Sequence, residues 1–123
     1  AANEKATVNI AFSNDLGKTF SKPIRVDTGM PIGRVDVIWV DENHALVSWI
    51  ESSEKSSNIV VRKVKNDATI NKEIVVAKIA KGRISGYPQM EIINDQILFA
   101  WTEVSSETAV ASKWIPISKI DKF

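Results

Sequence analysis

Apolar residues along this chain fall in short runs that alternate with polar ones at a period of two, and Gly, Pro, Asn, Asp or Ser closes nearly every run. No window carries a capped 3.6-residue period, so the pattern predicts an all-β chain. Nine strands follow from it, over 6–13, 23–27, 34–41, 45–51, 58–65, 70–78, 87–93, 96–104 and 108–117. In the first, Val8, Ile10 and Phe12 share a face; in the third, Val35, Val37 and Trp39 do. Pro23 opens the second strand, a position where its missing N–H does no harm.

Laid over one another, the strands repeat. Residues 45–51 (ALVSWIE) match 97–103 (ILFAWTE) at an offset of fifty-two, which sets Trp49 on Trp101 and Glu51 on Glu103. Residues 19–26 (TFSKPIRV) match 69–76 (TINKEIVV) at an offset of fifty. Two separate segments echo at nearly one period with four strands between copies, the spacing of four-stranded antiparallel β-propeller blades. The chain then reads as one partial propeller domain, 1–123. Residues 1–27 supply the last two strands of one blade, 33–78 a complete blade, and 86–117 the first three strands of the next. The alternative is a β-sandwich of about nine strands, which has similar composition but does not require the echo.

Charge and rare residues then remove several classes of function. Sixteen Lys and Arg stand against fifteen Asp and Glu, and the basic residues alternate with apolar or acidic ones, so there is no nucleic-acid footprint. The absence of cysteine excludes disulfides and thiolate metal sites, and the single His44 excludes a histidine cluster. Scattered carboxylates form no calcium pattern, so no metal and no cofactor is expected. No run approaches the ~18 apolar residues of a membrane span. Residues 1–5 (AANEK) read as the end left by a removed signal peptide or as the cut end of a longer chain.

One motif lies between the first two strands: Ser13, Asp15, Gly17, Thr19 and Phe20. At a sharp turn the short Asp15 carboxylate can accept backbone N–H bonds, and Gly17 can take positive φ without a Cβ penalty. Ser13 and Thr19 offer hydroxyls to fasten the turn, and Phe20 is expected to tuck its ring beneath it. The spacing resembles the Asp box, S-x-D-x-G-x-T-[FW], of sialidases and other BNR-repeat propellers. In the next repeat, 65–70 has lost the glycine and the phase of the aspartate. The resemblance implies a sialidase-like propeller, extracytoplasmic, periplasmic or secreted, with the Asp box as a structural staple on a lower rim.

On the upper rim the resemblance places 28–34, 52–57, 80–87 and 105–107. Arg34, Arg83 and Tyr87 are candidates for a carboxylate or glycan pocket; the alternative is that the arginines pair with Asp36, Glu91 or a neighbouring rim. Glu51 and Glu103 are candidates for sugar hydroxyls or proton transfer, although a residue that recurs in each repeat commonly serves the repeat itself. Asp36 is expected to face the axial channel. Trp49 and Trp101 are expected in the core between blades, Trp39 partly exposed near the lower rim, Trp114 near an outer edge, and His44 solvated. Sialidase chemistry needs an arginine triad, and the Phe-Arg-Ile-Pro element carrying its first member is absent, so no catalytic residue is assigned. The expectation is a non-enzymatic scaffold or a glycan- or protein-binding module, partnered by the remaining blades of a parent chain or by other subunits. The alternative is a fragment of a sialidase-like exo-glycosidase.

Overall fold

The structure, a computed structural model, describes residues 6–104 and 107–120. The expectations for residues 1–5 and for 105 and 106 lie outside the described residues. The chain is all-β, in three antiparallel sheets. The first pairs β1 (Asn9–Ile10) with β2 (Ile24–Arg25). The middle sheet runs β3 (Pro31–Trp39), β4 (His44–Ser52), β5 (Ser56–Lys65) and β6 (Ile74–Ala80) in that order. The third runs β7 (Ile84–Ile93), β8 (Gln96–Val104) and β9 (Thr108–Pro116), followed by a 3-10 turn at Ile117–Lys119 where the pattern predicted strand through Ile117. No helix among the described residues is long and apolar enough to cross a membrane.

The centre of the middle sheet, β4 and β5, is covered on both faces, whereas β3 keeps one face open. Along β4 every residue from Ala45 to Glu51 is buried, whereas β8 alternates and β9 is mostly exposed. A strand with no solvent face has no use for alternation, which accounts for the unbroken ALVSWI of 45–50. In one layer, Val8 and Val26 of the first sheet and its margins pack on Val47, Trp49, Val60 and Val64 of the middle one. In the other, Leu46, Ile50, Ile59 and Val61 meet Met90, Ile97, Phe99 and Trp101 of the third sheet. The aligned indoles therefore lie in different layers, each facing the sheet before it in the chain, and each is buried as expected.

Backbone irregularities repeat with the sequence. The β3–β4 ladder jumps between Gly33, opposite Ile50, and Asp36, opposite Ser48; the β7–β8 ladder jumps between Ser85, opposite Thr102, and Gln89, opposite Ala100. The partners on β4 and β8 differ by fifty-two in both cases, the offset of the sequence match. Gly33 at φ 100° and Gly86 at φ 71° supply conformations that bulges demand and that side chains resist. By absorbing the extra residues, the bulges let β3 start at Pro31 and β7 at Ile84, three residues earlier than the alternation predicted in each case.

In contrast, β1 and β2 are shorter than predicted because side chains replace ladder partners at their ends. Asp27 Oδ1 accepts the Val8 N–H at 2.7 Å, and Ser21 Oγ accepts the Phe12 N–H at 3.0 Å. The same exchange recurs where Asn71 Oδ1 accepts the Lys63 N–H at 2.7 Å. Ser21 and Asn71 are fifty residues apart, inside the second repeated segment.

Candidate functional site

Arg34 is half-buried, and its Nη1 donates to the carbonyl oxygens of Ile84 at 3.0 Å and Gly86 at 3.2 Å, both on β7. Asp36 is fixed at the same seam: Oδ1 accepts the Val37 N–H at 2.9 Å and Oδ2 the Met90 N–H at 3.0 Å. These bonds clamp the first strands of the middle and third sheets together. Of the partners weighed for the arginines, Arg34 thus takes the neighbouring rim, at residues 84 and 86, and not Asp36.

Glu51 is buried and accepts the Trp49 indole N–H at 2.8 Å; Glu103, half-buried, accepts that of Trp101 at 3.2 Å. Residues two apart on a strand share a face, so the Trp-x-Glu spacing makes this bond geometrically available in each repeat. Arg83 and Tyr87 are exposed, and a small cleft of about 110 Å³ between the middle and third sheets is lined by Arg34, Lys81 and Ile84 without either of them. The structure thus does not gather Arg34, Arg83 and Tyr87 around this cleft.

A polar network that the sequence reading missed lies between the first and middle sheets. Arg25 and Asp27 form an ion pair at 2.9 Å, and the Asp27 side chain is fully buried. The Arg25 bond, with the Val8 N–H, holds the Asp27 carboxyl below its ordinary range despite burial, and raises Arg25 in turn. Glu73 lies on the other side of the balance: burial, then the nearby Glu51, pushes its carboxyl up. Neither Glu51 nor Glu73 lines any of the four clefts described in this section. Arg62 crosses the same seam, donating from Nη1 to the Val26 carbonyl at 2.7 Å. The fifty-residue match at Val26 and Val76 was the available signal for this network.

The Asp-box turn behaves as a staple. Asp15 Oδ1 accepts the Thr19 N–H at 2.9 Å and the Ser13 hydroxyl at 2.8 Å, Oδ2 accepts the Thr19 hydroxyl, and Ser13 Oγ accepts the Gly17 N–H at 2.8 Å. Donation by the Thr19 hydroxyl and N–H and the Ser13 hydroxyl lowers Asp15 to about 2. Gly17 sits at φ 87° with open space around its missing Cβ, so only conformation calls for glycine. Phe20 corrects the expectation of a tucked ring: it is 63% exposed, because the neighbouring apolar surface is itself open. His44 corrects another, being half-buried with Nδ1 2.8 Å from Asp41 Oδ1 rather than free in solvent.

The larger concave surfaces lie at this end. One cleft of about 320 Å³ is lined by Ile10, Phe12, Phe20, Val37 and Trp39; the adjoining one, about 450 Å³, adds Asn14, Thr19, Glu42 and Asn66. Phe12 and Trp39 meet there with ring centroids 5.6 Å apart. A shallow hollow of about 570 Å³ at the β7–β8 turn is bounded by Asn94, Asp95, Gln96 and Trp114. Among the described residues no group of three or more His, Cys, Asp or Glu is placed to hold a metal ion. Comparison of the chain with protein-family models, with curated proteins and with solved structures found no match.

Proposed function

We propose that the chain is a non-enzymatic segment of a sialidase-like β-propeller, working extracytoplasmically as a scaffold that binds glycan or protein. The observation that carries the reading is the use of the candidate rim residues: Arg34, Asp36, Glu51 and Glu103 are all engaged by bonds within or between the sheets. A catalytic carboxylate needs access to substrate, and these carboxylates face indoles and amides instead. Support for radial stacking comes from the equivalent faces that successive sheets turn toward their predecessor, where a sandwich turns two faces toward each other. Binding falls to the clefts that hold exposed aromatic rings, Trp39 with Phe20 and Trp114 with Asn94 and Gln96, the combination of ring face and amide that suits sugars.

Incubation with a fluorogenic sialoside tests the non-enzymatic part, with no release above buffer expected. Hydrolysis abolished by Arg34→Ala or Arg83→Ala would overturn it. Titration with oligosaccharides, followed by tryptophan emission, tests the binding part. Trp39→Ala and Trp114→Ala are expected to remove the response, whereas Glu51→Gln leaves it in place.

A further inference from the structure

The same three positions of the repeat are covered in one sheet and bare in another. Pairing of Asp36 with Ser48 and of Gln89 with Ala100 aligns Val35, Val37 and Trp39 of β3 with Pro88, Met90 and Ile92 of β7. Pro88 and Met90 are buried and Ile92 partly so, beneath the first two strands of the middle sheet, with Leu46 and Ile50 in the same cluster as Met90. Val35, Val37 and Trp39 are 50%, 56% and 55% exposed. What covers the third sheet is a β3–β4 ribbon, and the first sheet contains no described counterpart of it.

The adjoining backbone edge is open as well. The Val26 N–H donates to the Val8 carbonyl at 2.9 Å and the Ser21 N–H to the Phe12 carbonyl at 2.7 Å, so these residues of the β1 segment face β2. Alternation then turns the N–H and C=O groups of Asn9 and Ala11 toward the other side, where no strand is paired among the described residues. Their repeat equivalents on β5, Val60 and Arg62, pair with Trp49 and Val47 of β4. An unpaired edge beside an apolar wall and a 320 Å³ cleft is a template for strand addition.

We propose that this edge takes up a two-stranded antiparallel ribbon carrying the repeat's own first- and second-strand pattern. Its second strand pairs with the 8–12 segment and its first strand covers Val35, Val37 and Trp39. The register also fixes the face: positions equivalent to Leu46 and Ile50 point into the cleft, and those equivalent to Val47 and Trp49 point away. The inference rests on the equivalence of the sheets, and because the ribbon covers the Trp39 cleft, the sugar reading above then falls to the Trp114 hollow alone.

A synthetic peptide of residues 34–52 is the probe, added to the isotopically labelled full chain. Saturable binding is expected, with new hydrogen-exchange protection at the Asn9 and Ala11 amides. In the chain, Ala11→Pro removes an N–H that only the added strand uses and should abolish binding with the circular dichroism unchanged. Val37→Glu, a charge on an exposed face, gives a second variant with the same expectation if the proline variant fails to fold. In the peptide, serine for Leu46 or Ile50 should weaken binding far more than serine for Trp49. No binding at about 1 mM peptide, protection confined to β9, equal effects of the three peptide changes, or peptide binding untouched by Val37→Glu would each overturn the proposal.

Discussion

Replacing each repeated tryptophan by phenylalanine is the same chemical change in two settings, and the structure assigns it two different energies. At position 49 the indole N–H donates at 2.8 Å to a carboxylate that is itself buried. Losing a bond to a buried charge costs about 1.5–3 kcal/mol. Trimming indole to phenyl leaves a gap of roughly 40 Å³, worth about 1 kcal/mol at ~24 cal/mol per Å³. Trp49→Phe should therefore cost about 2.5–4 kcal/mol, a large part of the ~5–15 kcal/mol that holds a domain together. At position 101 the bond is longer, 3.2 Å, and Glu103 is only half-buried, so water can replace the lost donor. There the bond falls to about 0.5–1.5 kcal/mol, and with the same gap Trp101→Phe should cost about 1.5–2.5 kcal/mol. Urea unfolding followed by far-ultraviolet circular dichroism reads both, since the slope of ~1–3 kcal/mol per M turns the difference into a clear separation of midpoints. A cycle with Glu51→Leu isolates the bond: Trp49→Phe should cost less in that background by at least about 1 kcal/mol. Equal or reversed costs at 49 and 101, or no coupling in the cycle, would refute the assignment of Glu51 as a structural acceptor and return it to the pool of functional carboxylates.

Two further outcomes follow from the titrating groups. Asp15 should titrate at about 2 by NMR against an ordinary 3.8; because its folded value is lowered, the turn's contribution is complete above 3.8 and is lost as pH falls through 2. Asp15→Asn should remove that pH dependence at the Thr19 amide, and a titration at 3.8 or above would contradict the bonding described. Glu73 has the opposite sign: its folded value is raised above 4.5, so its contribution is present below 4.5 and lost as pH rises through the raised value. Glu73→Gln should thus raise the melting temperature at pH 7, by the equivalent of less than about 1 kcal/mol given solvent screening, with the gain vanishing below pH 4.5.

The strands were legible because alternation and turn residues are local, and the Trp-x-Glu echo located the inter-sheet indoles before any sheet was seen. Strand starts at Pro31 and Ile84 were not legible, since a bulge breaks the period of two on which that reading depends. Phe20 was misread for a different reason: its motif fixes the turn, but whether the ring is covered depends on a neighbouring layer. The candidate site was legible only as a set of residue types. Which carbonyl Arg34 reaches is decided by β7, fifty residues away, and nothing local to 34 specifies it.

The distribution of basic residues, which at first only excluded a polyanion, has a positive structural meaning. Aligning β8 on β4 and following the ladders across to β9 and β5 sets Lys113, opposite Phe99, on Arg62, opposite Val47. Arg62 donates to the carbonyl of Val26, and Lys113 Nζ donates to that of Val76 at 2.9 Å. The two acceptors are themselves fifty residues apart, so donor and acceptor recur together, each cation reaching back to the sheet before it. Long stems lying along apolar surface, with their charge delivered to a backbone oxygen at the seam, explain why Lys and Arg alternate with Val and Ile here. A repeated cation of this kind answers a repeated need, the satisfaction of a carbonyl at each sheet junction. Of the six rim candidates, only Arg83 and Tyr87 are both exposed and without such a counterpart fifty residues away.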